Sequence, residues 1–155
     1  MINRDVYTHG HQPAAVKQHA KRTAEICAQF VRPVISSQSE ILDVGCGPGS
    51  ITVGLARWAT HGSVTGIDVG EEVLQAAQQV VDEAGCSNVS LEEASVYALP
   101  YEDSSFDLTY AHQVLQHLAD PVLAIQEMAR VTRPGGHVAV RDSDYYTMSC
   151  SPESE

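Results

Sequence analysis

Residues 41–50 read ILDVGCGPGS, and this segment decides the fold more than any other part of the chain. Two apolar residues and Asp43 are typical of the end of a buried strand, and Gly45, Gly47 and Gly49 then alternate through a turn. Glycine permits backbone angles closed to other residues and lets a ligand lie against the bare main chain. The helix predicted to follow would point its free N–H groups at that ligand. The segment therefore predicts a site for a nucleotide-like small molecule.

The spacing of the glycines distinguishes between the known kinds of nucleotide-binding turn. A dinucleotide fingerprint reads G-x-G-x-x-G, and Ser50 stands where its third glycine belongs. A phosphate loop of NTPases needs Gly-Lys-Ser/Thr, and this segment has no lysine. The pattern D-x-G-x-G-x-G resembles the first motif of Rossmann-like methyltransferases that use S-adenosylmethionine. An ordinary strand-to-helix turn is the alternative at this point.

Asp68 ends the second predicted strand, about 20 residues past the glycine turn. An acid in this position can accept both ribose hydroxyls of an adenosine, and its charge disfavours a 2′-phosphate. A lone Asp at a strand end more often caps a helix or faces solvent. Its distance from the glycines nevertheless favours the ribose role, and its negative charge argues against an NADP enzyme.

Composition restricts the class of protein. The 155 residues predict a single domain over 1–155, and the formal charge of −11 disfavours nucleic acid and anionic lipid as partners. No apolar run is long enough to cross a membrane. The four cysteines are far apart, which favours reduced thiols in a cytoplasmic protein. The seven histidines show no metal-ligand spacing, so no metal site is predicted.

Strand and helix patterns alternate along the chain. An apolar stripe predicts an N-terminal helix over about 13–35. Strands are predicted over about 40–45, 63–68, 89–94, 105–110 and 137–142, and helices over about 49–59, 71–84 and 121–131, with a turn at 133–136. This alternation predicts an α/β fold with a mostly parallel, doubly wound sheet of about five strands, and a cofactor-binding core over about 40–142. Ligands in such sheets bind beyond the carboxyl ends of the strands.

The order of motifs resembles the small-molecule methyltransferases related to the ubiquinone and menaquinone biosynthesis enzymes. The match runs from the glycine turn through Asp68, Leu99-Pro100 and Phe106-Asp107 to Arg133-Pro134-Gly135-Gly136. The opening Tyr7-x-His9-Gly10-His11, with His19 and Arg22-Thr23, resembles one branch of that family. The similarity covers nearly all of residues 7–146.

This resemblance implies a Rossmann-like enzyme that binds S-adenosylmethionine, releases S-adenosylhomocysteine and methylates a small molecule. Its cofactor-binding residues would be Asp43, Gly45, Cys46, Gly47, Asp68, Val69, Ser95, Val96, Ala111, His112 and Gln113. Ser95 stands where the family usually has an acid, so it would offer only a neutral hydrogen bond. His112 would be the general base if the acceptor is a hydroxyl, whereas His117 is expected to be structural.

The family usually continues with two more strands, which this sequence lacks. Strand five is therefore expected to form an uncovered edge with Val138 and Val140. Either a second copy or another chain covers this edge, or the chain is a truncated product. Two alternatives stay open. The chain could be a non-catalytic or partner-dependent cofactor-binding subunit, or a methyltransferase-like cyclase that transfers no methyl group.

Overall fold

The computed structural model describes residues 22–143, which form a five-stranded parallel sheet. Its strands are β1 (Glu40–Val44), β2 (Ser63–Asp68), β3 (Val89–Glu93), β4 (Phe106–His112) and β5 (Thr132–Arg141). They pair in the order β3-β2-β1-β4-β5, and every pair is parallel. This topology confirms the predicted α/β Rossmann-like fold, and the bounds of β1–β4 agree with the predicted ones to within two residues.

In the described part of the chain, one short α-helix precedes β1, three α-helices connect β1 to β2, β2 to β3 and β4 to β5, and helices lie on both faces of the sheet. They are α1 (Ala24–Cys27), α2 (Ser50–Trp58), α3 (Glu71–Ala84) and α4 (Pro121–Val131), with 3-10 helices at Gln29–Val34 and Leu115–His117. Gly85 ends α3 with a φ of +65°, and the Asp120 carboxylate caps α4 by accepting from the Leu123 N–H at 3.0 Å. Within 22–143, none of these helices combines the length and the apolar character that a bilayer crossing requires.

The N-terminal helix predicted over 13–35 is not continuous in its described part. The backbone leaves the α-helical geometry at Ala28, and a 3-10 helix follows. Pro33 lies inside that second helix, where it has no N–H to donate and its ring crowds the preceding turn. The predicted apolar stripe still faces the core at Ala24, Cys27 and Val31, whereas Val34 is exposed. Residues 13–21 lie outside the described part.

The predicted turn at 133–136 is a bulge inside β5 rather than a turn before it. Phe106 pairs with Thr132, and Leu108 pairs with His137. Between these two pairs β5 therefore contains extra residues that have no counterpart in β4. The Asp107 carboxylate anchors the bulge, accepting from Arg133 Nη1 at 2.7 Å and from the Glu40 N–H at 2.8 Å. The sequence correctly indicated irregular backbone at 133–136. It did not show that β5 pairs with β4 both before and after this segment.

Strand β1 lies at the centre of the sheet and divides the core into two halves. Ile41 packs on the face covered by α1 and α2, together with Leu108 and Tyr110. Leu42 and Val44 point to the opposite face, where they pack with α4. The Tyr110 hydroxyl donates to the Cys27 carbonyl at 3.0 Å, which ties α1 to the sheet. The glycine turn that follows β1 is therefore held by a rigid strand buried on both faces.

Candidate functional site

A cavity of about 420 Å³ opens at the carboxyl ends of the strands. Its wall includes Val44 at the end of β1, Asp68 at the end of β2 and His112 at the end of β4. This is where ligands bind in open parallel sheets, and the volume falls in the range of about 300–1,000 Å³ typical of small-molecule sites. Eight of the predicted residues line this cavity, namely Gly45, Gly47, Asp68, Val69, Ser95, Val96, His112 and Gln113.

The three glycines of the turn have different tasks, although all have positive φ. A Cβ on Gly45 would come within 2.5 Å of Val114 Cγ2, so this glycine makes room for a side chain of the protein. A Cβ on Gly49 would lie 3.2 Å from the Ala77 Cβ, because α2 and α3 approach closely there. Gly47 has a φ of +55°, and a Cβ on it would meet no atom within 4 Å. Of the three, only Gly47 therefore has open space where a side chain would stand.

The Asp68 carboxylate is held in place by main-chain donors. Oδ2 accepts from the Gly47 N–H at 3.1 Å, and Oδ1 accepts from the Gly70 N–H at 3.2 Å. Each carboxylate oxygen has a second lone pair, so both can still accept a hydrogen bond from a ligand hydroxyl. The acid is thus oriented at the wall of the cavity and retains the capacity to accept two hydroxyl groups.

Apolar and neutral groups extend the wall beyond Asp68 towards β3. Val69 is 72% exposed and lines the cavity, so a flat apolar ring packed against it would remove a large apolar surface from water. Val96 is buried beneath this region. The Ser95 hydroxyl oxygen accepts from the Tyr97 N–H at 3.3 Å. Together these groups fit an aromatic heterocycle that makes few charged contacts.

The wall beyond β4 is polar. His112 ends the strand and Gln113 follows it with a φ of +58°, which is unusual for a residue other than glycine. The Gln113 N–H donates to the Arg141 carbonyl at 2.8 Å, so β5 holds this strained residue in place. The Gln113 Oε1 accepts from Gln116 Nε2 at 3.1 Å and from the Ser143 hydroxyl at 2.9 Å. All these residues except Arg141 line the cavity.

Asp43, Cys46 and Ala111 do not line the cavity, although the resemblance implies that they bind a cofactor. The side chain of Asp43 is buried on the α2 face, where its Oδ2 accepts from the Thr52 hydroxyl at 2.6 Å. Burial raises the pKa of Asp43 to about 7, against the effect of that hydrogen bond, and the charge of Asp68 raises it further. Burial likewise raises the pKa of the Cys46 thiol.

These three residues miss the cavity for simple geometric reasons. Strand alternation turns Asp43 into one half of the core and Ala111 into the other, while Cys46 packs on β2 beside Gly66. Asp43 bonds to α2 on the core side of the sheet, so it supports the glycine turn from the core and not from the cavity.

Other cavity-lining residues were absent from the predicted set. Those with polar side chains are Arg22, Tyr97, Gln116, His117 and Ser143. Ser143 follows β5, so the rule that ligands bind at strand ends could have found it. Gln116 and His117 both lie in the 3-10 helix Leu115–His117, whose orientation no periodicity reveals. Tyr7, His9, His11 and His19, which the resemblance singled out, lie outside the described residues.

Within the described part of the chain, no group of three or more His, Cys, Asp or Glu side chains is arranged to hold a metal ion. The polar groups at the cavity include main-chain N–H groups, one oriented carboxylate, amides and hydroxyls. This donor set fits S-adenosylmethionine. Asp68 can accept its ribose hydroxyls, Val69 can pack on its adenine, and the open main chain at Gly47 admits a ligand.

Comparison with known proteins gives one consistent result. The family described as "Methyltransferase domain" matches residues 35–154. An uncharacterized methyltransferase of Schizosaccharomyces pombe is 37% identical over 153 residues, which cover 95% of this chain and 55% of that protein. The chain spans about half the length of the curated relatives it matches.

Solved structures agree on the fold. A SAM-dependent methyltransferase from Aquifex aeolicus superimposes with a TM-score of 0.77 at 23% identity, covering 92% of this chain and 79% of that one. The [4+2]-cyclase SpnF superimposes with a TM-score of 0.66 at 30% identity, covering 78% of this chain and 47% of that one. The fold thus accompanies both methyl transfer and cyclisation.

Proposed function

Because the chain belongs to the methyltransferase-domain family, we propose that it binds S-adenosylmethionine in this cavity and transfers the methyl group to a small molecule. The observation that carries the proposal is the hydrogen bond from Gly47 to Asp68 at the cavity wall. It joins a main chain open to a ligand with an acid able to bind a ribose. No other pair of described residues offers both features at one wall of the cavity.

The adenosine half of the cofactor is assigned to the ends of β2 and β3. Asp68 accepts the ribose hydroxyls, and Val69 and Val96 enclose the adenine. The Ser95 hydroxyl provides one neutral hydrogen bond to the ring, roughly half as strong as a bond to a carboxylate. We therefore expect weaker cofactor binding than in relatives that carry an acid at this position.

The methionine half of the cofactor is assigned to the glycine turn. Gly45 and Gly47 line the cavity and present main-chain groups to it. Arg22 is the one Lys or Arg side chain among the described residues that line the cavity, and its charge complements a carboxylate. Asp43 and Cys46 keep the turn in shape from the core side, and Ala111 packs beneath it.

Methyl transfer of this kind requires little covalent chemistry from the protein. When bound, the cofactor supplies a methyl group activated by a positively charged sulfur. The polypeptide holds the acceptor in line with that methyl group, and positioning of this kind can lower a barrier by about 7–11 kcal/mol. His112 lines the cavity at the end of β4 and is placed to take the proton of a hydroxyl acceptor.

Calorimetric titration of the chain with S-adenosylmethionine, S-adenosylhomocysteine and NAD tests the proposal. We expect micromolar binding of the first two ligands and none of NAD. Binding of NAD alone, or of none of the three, would contradict the cofactor assignment.

Two alternatives predict different outcomes once binding is established. A non-catalytic subunit would bind the cofactor without forming S-adenosylhomocysteine in the presence of any acceptor. A cyclase would form its product equally well with S-adenosylhomocysteine in place of the methyl donor. A cytoplasmic location and pairing through β5 stay predictions from the sequence.

A further inference from the structure

The cavity has two ends, set by the order of the strands. Asp68 ends β2, Gln113 follows β4, and β1 lies between these two strands. Neighbouring strands are about 4.8 Å apart, so the two residues belong to ends of the cavity about 10 Å apart. If Asp68 holds the ribose, Gln113 lies towards the methyl acceptor. The inference below therefore rests on the proposed function.

The backbone of Gln113 is held in a costly conformation. Its φ of +58° places a residue with a Cβ in the left-handed region, which L residues other than glycine rarely adopt. The bond from its N–H to the Arg141 carbonyl, at 2.8 Å, keeps it there. Strain of this kind persists where the surroundings over-determine the residue, and it concentrates at ligand sites. Here it directs the Gln113 side chain to the cavity wall.

The orientation of the Gln113 amide is fixed by two donors. Its Oε1 accepts from Gln116 Nε2 and from the Ser143 hydroxyl. Its Nε2 makes no hydrogen bond to any residue in 22–143 and carries two N–H donors. In the present orientation the buried Oε1 of Gln116 has no partner. If both amides were turned over, the Gln116 N–H groups would occupy that buried position and would lack a partner instead. An unpaired carbonyl is the more readily tolerated of the two.

We propose that Gln113 selects the methyl acceptor by donating its side-chain N–H to the oxygen of an acidic hydroxyl, the group found in phenols and enols. A donor of this kind stabilises an oxygen that carries negative charge, with a bond about twice as strong as one to a neutral oxygen. An amide N–H cannot form a hydrogen bond with the N–H groups of an amine, because both are donors. The acceptor class is therefore an aromatic or enolic alcohol, and methylation occurs on oxygen.

The step balances with the groups already present. The acceptor hydroxyl gives its proton to His112, and an oxygen lone pair forms the new O–C bond to the methyl carbon. The S–C bond of the methyl donor breaks and its electron pair stays on sulfur, which leaves S-adenosylhomocysteine. Gln113 contributes by favouring the ionised hydroxyl before the transfer.

The test uses 4-nitrophenol and 4-nitroaniline as probes. The two have nearly the same shape, but the first carries a hydroxyl group where the second carries an amine. Each is titrated into the full chain saturated with S-adenosylhomocysteine, which prevents turnover. The visible absorbance of the nitrophenolate reports how much of the bound phenol is ionised. We expect wild type to bind the phenol more tightly than the aniline and to lower the apparent pKa of the bound phenol.

Two variants separate recognition from folding. Gln113→Met removes the amide donors and should weaken binding of the phenol by tenfold or more, as expected for loss of a hydrogen bond to a charged oxygen. Gln113→Glu keeps the shape but reverses the polarity, so the aniline should bind better than the phenol. Gln79→Met on the exposed surface of α3 is the matched control and should change neither probe.

The outcomes separate this inference from the proposed function. Unchanged phenol binding by Gln113→Met, a wild-type preference for the aniline, or no phenol binding at all would overturn the acceptor assignment. Binding of S-adenosylhomocysteine to wild type and to the Gln79→Met control within about threefold of each other would leave the proposed function standing in each of those cases. Failure of wild type to bind S-adenosylhomocysteine would overturn the proposed function, and this inference with it.

Discussion

The main-chain N–H of Gly47 donates to the Asp68 carboxylate at 3.1 Å, so the turn after β1 holds the acid that ends β2. A second donor, the Gly70 N–H, fixes the other carboxylate oxygen at 3.2 Å. The two motifs that the sequence places about 20 residues apart are thus parts of one hydrogen-bonded unit. Changing either residue should affect the other as well as the ligand.

Replacing Asp68 should therefore weaken cofactor binding. Asp68→Ala removes the acceptor of two main-chain donors as well as the proposed ribose contacts, and we expect a loss of about 1–3 kcal/mol in binding S-adenosylhomocysteine. Calorimetry measures it, with Asp82→Ala on the exposed surface of α3 as the control. A change below about 0.3 kcal/mol, which is less than any charged hydrogen bond contributes, would show that Asp68 does not contact the ligand.

The conformational cost of a substitution can be separated from its effect on the ligand by comparing two glycines. Gly47 and Gly85 both have positive φ, +55° and +65°, and a Cβ on either would meet no atom within 4 Å. Gly47→Ala and Gly85→Ala should each lower the free energy of unfolding by about 1–2 kcal/mol. Only the Gly47 variant should lose cofactor binding, because only Gly47 lines the cavity. Equal binding by the two variants would contradict the assignment of the turn.

The contact between α1 and α2 leaves no room for an added methyl group. A Cβ on Gly54 would lie 2.3 Å from the Ala24 Cβ. Gly54→Ala should therefore lower the free energy of unfolding by about 1–3 kcal/mol, despite the better helix propensity of alanine. Adding Ala24→Gly removes the opposing methyl group and should restore part of the loss. Denaturant unfolding of both single variants and the double variant measures this coupling, and simple additivity would argue against the contact.

Asp43 should make stability depend on pH in an unusual direction. Burial raises its folded pKa to about 7, above the value of about 3.9 expected when unfolded. Between these two values the folded chain keeps a proton that the unfolded chain has lost, so the stabilisation is full below about pH 4 and is lost as the pH rises to about 7.

Comparison with Asp43→Asn isolates this contribution from those of the other carboxyl groups. The difference in free energy of unfolding between wild type and variant should fall with rising pH across that window, by up to about 1.4 kcal/mol for each pH unit, and then level off. Urea unfolding at several pH values from 4 to 8 measures it. A difference that stays constant with pH would show that Asp43 is ionised throughout.

Much of the fold could be predicted from the sequence because its signals are local. Short apolar runs located β1 to β4, helical patterns located α2, α3 and α4, and Gly85 and Asp120 lie at helix ends. The two failures involve pairing and proline geometry. A bulge such as that at 133–136 is visible only in the register against β4, and the helix before β1 breaks at Ala28, ahead of Pro33.

The candidate site was predictable where the main chain itself forms the wall. Gly47, Asp68 and the residues after β3 and β4 line the cavity because the ends of parallel strands meet at one edge. Motif resemblance could not tell whether a side chain beside that edge points to the cavity or to the core, as Asp43 and Ala111 show. Gln116 and His117 enter the wall only through the tertiary fold.

The position of β5 on the outside of the described sheet has a consequence for how such a protein can change over generations. The proposed adenosine contacts belong to the ends of β2 and β3, whereas the amide network of Gln113 and Gln116 joins β4 to β5. Selection for a new acceptor can therefore act on one short turn and one strand end while the adenosine contacts stay constant. Substrate choice and cofactor choice can then evolve separately within one sheet.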